Sequence, residues 1–205
     1  FCYTITGGDT AVVTINLQNQ AAIWFVDPTA GAGGNGTQGA PFQNIGSGAG
    51  TFASAAGDLA GDTVFVADGA GTCGVTLLNN QIVVGDGSSG TLGAISGVTP
   101  VSGSTLPTFS GTDPVLTAAA GSCITLGSGN TVRGLTIGNS AVNDILAAGP
   151  YGTFTITEAT LNGTGTALNL TNGTLAATLD DLDVTSSTGA GVSISTSAGS
   201  LTTAG

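Results

Sequence analysis

Residues 130–146, NTVRGLTIGNSAVNDIL, are followed by residues 153–170, TFTITEATLNGTGTALNL, and both stretches carry short apolar alternations broken by Gly, Asn and Thr. Apolar pairs recur at Ile124/Leu126, Ile145/Leu146, Leu168/Leu170 and Val192/Ile194, with first members 21, 23 and 24 residues apart. A second series runs Leu135/Ile137, Ala159/Leu161 and Leu182/Val184, and a third runs Val132, Ile156 and Leu179, both at spacings of 24 and 23. Three strand series sharing one period is the signature of stacked three-sided coils. One such coil cannot bury its apolar face alone, whereas neighbours stacked at about 4.8 Å share a continuous core. A β-sandwich of short strands is the competing arrangement, but it has no reason to keep three series in phase.

The rest of the composition agrees with a sparsely charged, acidic β-protein. The 205 residues include 36 Gly, 12 acidic residues and one basic residue, Arg133, for a net charge of -11. A nucleic-acid partner held through its phosphates needs clustered Lys and Arg, so none is expected. Polybasic attachment to a membrane surface is excluded for the same reason. No apolar run approaches the roughly 20 residues of a spanning helix, so membrane insertion is not expected. Without His or Lys, general acid–base chemistry would rest mainly on carboxylates.

Residues 1–17, FCYTITGGDTAVVTINL, alternate on both sides of Gly7-Gly8-Asp9, a β-hairpin signal. The segment resembles the last two strands of the Ig-like or cadherin-like repeats of large bacterial surface proteins. Residues 1–20 are therefore expected to form a hairpin of an Ig-like or strand-exchange segment. Their exposed positions, Phe1, Cys2, Tyr3, Ile5, Val13, Ile15 and Leu17, are the interface candidates.

A second unit is expected from residue 21 to 205. Its opening reads IWFVDP at Ile23–Pro28, GNGT at Gly34–Thr37, APFQNI at Ala40–Ile45 and AGDTVFVADG at Ala60–Gly69. These motifs resemble the start of right-handed parallel β-helix proteins of the pectate-lyase-like superfamily, with a short capping helix before the GDT strand. The likeness continues through GVTLLNNQIVVG (Gly74–Gly85) and NTVRGLTI (Asn130–Ile137). The expected fold is all-β: a right-handed parallel β-helix (solenoid) with an N-terminal β-hairpin and one short helix over 51–59. Residues 85–122 fit the period poorly and carry Pro100, Pro107 and Pro114, so a loop excursion is expected there.

Asp180, Asp181 and Asp183 form the densest charge cluster. They are a weak candidate Ca²⁺ site, and by alternation Asp181 and Asp183 should face outward beside inward Leu182 and Val184. The superfamily's hydrolases also need a His with further basic residues, and its lyases use Arg or Lys beside Ca²⁺-binding acids. Only Arg133 is present here, so no catalytic residue and no cofactor are assigned. Asn139 and Asn162, 23 residues apart, could stack as an amide ladder. Cys73 and Cys123 are the disulfide candidates in an oxidising compartment, leaving Cys2 free or open to an intermolecular bond; three unpaired thiols are the alternative. Asn35, Asn162, Asn169 and Asn172 fit the N-x-[ST] pattern, which Thr-rich chains often match by chance.

The expected function is a non-enzymatic extracellular module at the cell surface, structural or adhesive, assembling with copies of itself or held between flanking domains. Surface glycans are a further candidate partner. The alternative is a carbohydrate-binding or polysaccharide-degrading β-helix, against which the scarcity of exposed aromatics counts. Ice binding, suggested by Thr153, Thr155 and Thr157 on one face, is a third class.

Overall fold

A computed structural model describes residues 21–46, 48, 50–185, 187 and 189–203. The N-terminal hairpin, with all seven interface candidates, lies outside the described residues. Among those described, thirteen strands join in one curled sheet in which every ladder between named strands is parallel. That arrangement is compatible with a parallel β-helix.

The strands fall into three ladders. The first contains β1 (Ile23–Val26), β2 (Thr63–Val66), β5 (Ile82–Gly85) and the opening halves of β8 (Thr131–Ser140) and β10 (Gly152–Gly163). It continues through the second halves of β11 (Thr166–Leu179) and β13 (Val192–Thr203). The second contains β3 (Ala70–Thr72), β6 (Val115–Ala118), the closing halves of β8 and β10, and β12 (Asp181–Val184). The third contains β4 (Val75–Thr76), β7 (Ile124–Thr125), β9 (Asn143–Ala147) and the first halves of β11 and β13. From β2 onward the chain visits the ladders in that order on each pass.

Alternation puts one residue in two into a shared interior. Val132, Leu135, Ile156, Leu168, Ile137 and Leu161 are fully buried there, and Val184 packs against them only partly buried. The first apolar series pairs as its spacing predicts, with Ile124 beside Ile145, Ile145 beside Leu168 and Leu168 beside Val192. The other two match at their first step, Val132 with Ile156 and Leu135 with Ala159. At the next step both slip by two residues. Leu182 lies beside Leu161 instead of Ala159, and Ala177, not Leu179, lies beside Ile156. The cause is a corner. Four residues, Ala148–Tyr151, join β9 to β10, but only Thr171 and Asn172 separate the corresponding positions of β11. Asn172 makes the tight bend at φ 69°, and Thr196, stacked on it in β13, does so at φ 48°. A slip of two keeps every side chain on its own face.

The expectation of one short helix over 51–59 needs correction. The segment 51–59 holds only a 3-10 turn, Phe52–Ser54, because Ala55 is already extended and Gly57 turns the chain at φ 101°. Phe52 is buried there and tilts against Trp24, ring centroids 6.2 Å apart. The α-helix of the described chain, α1 (Leu92–Ser96), lies instead within the proline-bearing excursion. Its signals are local: the Thr91 hydroxyl accepts from the Ala94 N–H, and Gly97 closes the helix at φ 70°.

The excursion itself is shorter than 85–122, since β6 belongs to the second ladder and pairs with β3 and β8. Residues 86–114 fold back over the outer face of the first ladder. There Leu92, Ile95, Leu106 and Phe109 meet Phe25, Phe65 and Val84 in a second apolar cluster.

Buried polar side chains tie the first passes together. Asp62 accepts hydrogen bonds from the Ala22 and Leu59 N–H groups and from the Trp24 indole, each at 2.8 Å. One strand further, Gln81 accepts from Leu78 N–H and donates to the Leu59 carbonyl. Asn130 then donates to the carbonyls of Leu78 and Gln81. Asn130 Oδ1 is left without a partner in this column.

Candidate functional site

Ionic contacts concentrate where the first ladder turns into the second. Arg133 points outward from β8, its Nε and Nη2 3.0 and 2.5 Å from Glu158 Oε2 on β10. Nη2 also donates to the Ser89 carbonyl, while the Ser89 hydroxyl and N–H donate to Glu158. Glu158 occupies the position beside Gly134 of the preceding pass, and both are left-handed, at φ 49° and 64°. At Gly134 a Cβ would fall 2.0 Å from Ser88 Oγ, so only glycine lets the excursion start so close to the sheet. At Glu158 that bend aims the carboxylate back at Arg133. Partial burial acts to raise the Glu158 carboxyl, but the hydrogen bonds from Ser89 and Arg133 and the guanidinium charge outweigh it and hold it below the ordinary value.

Nearby Asp113 is pushed the other way. Burial raises its carboxyl, the Thr136 hydroxyl offsets part of that, and the charges of Asp180 and Glu158 add to the rise. The sole cation of the chain is thus engaged by one carboxylate and one backbone oxygen, in an otherwise acidic neighbourhood.

Asp180, Asp181 and Asp183 are exposed, with Leu182 and Val184 turned partly inward, as alternation requires. They do not converge: among the described residues no group of three His, Cys, Asp or Glu side chains is placed to hold a metal ion. The Asn139–Asn162 ladder is not formed. Leu161 pairs with Ile137, so Asn162 comes opposite Gly138 and Asn139 opposite Gly163. A different amide chain exists one corner further on, where Asn169 Nδ2 donates to Asn143 Oδ1 at 3.1 Å and Asn143 Nδ2 to Ser122 Oγ at 2.8 Å. Asn143 stands two residues before the Ile145/Leu146 pair and Asn169 lies between Leu168 and Leu170, positions that the apolar period alone did not mark as a contact.

Cys73 and Cys123 form a disulfide, their Cα atoms 4.8 Å apart. They are immediate neighbours across one ladder step, because the N–H groups of Gly74 and Val75 both donate to the Cys123 carbonyl. The 50-residue separation reflects the excursion inserted into that pass, not an intervening coil. Thr153 is exposed and Thr155 and Thr157 half-buried, aligned with Thr174, Ala176 and Thr178 of the next pass.

Two features were not legible as sites. Asp144, at the start of the third ladder, is buried, and its carboxyl is pushed up to about 7 by loss of solvent, which the neighbouring Ser140 offsets only in part. Neither Asp144 Oδ1 nor Ser140 Oγ completes a hydrogen bond. At the other end of the sheet, the outer edge of β13 has no partner strand among the described residues, and Val192, Ile194 and Leu201 are each more than a third exposed there.

No family model, no curated protein and no solved structure matches this chain. No helix among the described residues is long and apolar enough to cross a membrane.

Proposed function

We propose that the chain is a right-handed parallel β-helix acting as a non-enzymatic extracellular module, structural or adhesive, that joins copies of itself or flanking domains end to end. The observation that carries this proposal is the edge of β13, which has no partner strand among the described residues, with its row of Val192, Ile194 and Leu201. Such an edge offers backbone donors and acceptors to any strand laid beside it. The alternating residues 1–17 have the pattern of such a strand, with Phe1, Tyr3 and Ile5 on one face and Val13, Ile15 and Leu17 on one face of the second run. The engagement of Arg133 by Glu158 and Ser89 supports the non-enzymatic part, because no other base is available to the carboxylates. The Cys73–Cys123 disulfide supports an oxidising, extracytoplasmic location.

Electron microscopy of the purified chain, with and without residues 1–17, tests the assembly. Ordered fibres that disappear on deletion are the expected result. Fibres unchanged by the deletion would sink strand addition by this segment. Separately, turnover of an acidic polysaccharide that is abolished by Arg133→Ala would overturn the non-enzymatic assignment.

A further inference from the structure

We infer that a cleft between the excursion and the first ladder is a binding site for an alkylammonium head group. The cleft encloses about 240 Å³ and is walled by Phe25, Phe65, Pro41 and Pro107, with Asp27 and Asp86 at its polar margin. Its volume lies below the roughly 300–1,000 Å³ of drug-sized pockets, so it takes one small group and not an oligomer.

Its construction follows from the register. Val26, Val66 and Gly85 pair across β1, β2 and β5, so the next residues, Asp27, Ala67 and Asp86, form a row at the strand ends. The Ala67 N–H bonds to the Val26 carbonyl and the Asp86 N–H to the Val66 carbonyl, which continues the ladder through that row. Small Ala67 leaves a gap between the two acids, whose backbones are two strand spacings apart, roughly 10 Å. The excursion closes the gap from outside by bringing Pro107 and Thr108 against it.

Both acids are oriented but not neutralised. Asp27 uses Oδ1 to accept from the Thr29 N–H and hydroxyl, at 2.8 and 2.7 Å. Asp86 is more than nine-tenths buried and uses Oδ1 to accept from the Ser110 N–H at 2.8 Å. Among the described residues neither Oδ2 has a protein donor. The chain cannot supply a counter-charge, since its only basic side chain is Arg133, bound to Glu158. A cationic ligand seated between the two acids would supply that counter-charge. Apolar and aromatic walls oppose a strongly hydrated metal ion and suit a weakly hydrated organic cation, which aromatic rings also attract. The shared chemistry is therefore an alkylammonium, whether a free amine or the end of a lysine side chain on a partner. The inference is independent of the assembly proposed above.

The test is a nuclear magnetic resonance titration of the full chain with n-butylammonium chloride, with n-butanol and sodium chloride at matched ionic strength as controls. Nα-acetyl-lysine amide forms a second arm that distinguishes a lysine end from a free amine. Saturable shifts of residues 25–27, 65–67 and 107–110 with the ammonium but not with the alcohol are expected. Asp86→Asn keeps an acceptor for Ser110, and Asp27→Asn keeps one for Thr29. Asp27→Asn should bind about fivefold more weakly, the upper range for one exposed ion pair, and Asp86→Asn, at the buried acid, at least as much. If n-butanol binds as well as the ammonium, or neither Asn variant weakens binding while its spectrum stays folded, the assignment fails. Absence of saturable shifts at these residues also refutes it.

Discussion

Replacing Asp144 by Asn should make the fold less sensitive to pH, and the size of the effect can be worked from its surroundings. The carboxyl is buried at the head of the third ladder with Oδ1 unbonded, and it titrates near 7 instead of 3.8. The folded state keeps this proton up to about pH 7, whereas the unfolded chain releases it near pH 4. Between those values unfolding gives up a proton, so stability falls as pH rises, and it levels off above the folded value. Each unit of displacement corresponds to about 1.4 kcal/mol, so the whole shift amounts to about 4 kcal/mol, of which about 3 kcal/mol is lost between pH 5 and 8. Asp113, also raised, contributes in the same direction. Glu158, lowered, acts oppositely: its contribution is complete above its unfolded value and is lost as pH falls through the folded one. The difference between parent and Asp144→Asn isolates the one group. Urea unfolding at pH 5, 6.5 and 8, with the disulfide intact, should show the two proteins converging at low pH and the variant more stable at pH 8 by about 2–4 kcal/mol. The same pH dependence in both would refute the assignment of a buried, neutral Asp144.

Replacing Cys73 and Cys123 together by Ser opens a loop of 50 residues and should cost about 2–4 kcal/mol in urea unfolding, against about 4 kcal/mol from chain entropy alone. Leu135→Ala removes a fully buried side chain and should cost about 2–5 kcal/mol, while half-buried Thr155→Ala costs well under that; equal losses would contradict the assignment of faces. Thr196→Asn places a residue tolerant of the left-handed region where Thr now stands at φ 48°, and a gain of about 0.5–1 kcal/mol by thermal unfolding is expected.

The parts legible in the sequence are those where burial alone sets the pattern. Val132 and Ile156 alternate with polar neighbours and Leu135 and Leu168 recur on the same period, and each lies inside as its spacing requires. The two-residue slip was not legible, because Ala148–Tyr151 and Thr171–Asn172 each read simply as a break between apolar runs, and it is the left-handed backbone at Asn172 that makes the tighter corner. β6 was hidden by its single inward pair, Leu116 and Ala118, set among Thr and Pro. The helix expected at 51–59 follows from the resemblance to β-helix openings, whereas the cap residues Thr91 and Gly97 mark the α-helix itself. The cleft at Asp27 and Asp86 could not be read at all, since residues 59 apart meet only through the row at the ends of β1, β2 and β5. Arg133 was recognisable as the lone cation, but its partner Glu158 was set by a left-handed bend that nothing in the local composition announces.

The corners of the sheet also bear on how such a chain can change over generations. Loss of one residue within a strand would exchange its two faces and expose the interior, an outcome selection removes. Loss of two at a corner, as between Ala148–Tyr151 and Thr171–Asn172, moves a whole side along its neighbour and leaves every buried group buried. Inherited insertions and deletions should therefore collect at the corners, and repeat length should drift while the interior persists. Descendants of one ancestral repeat would then lose a common period long before they lose a common architecture.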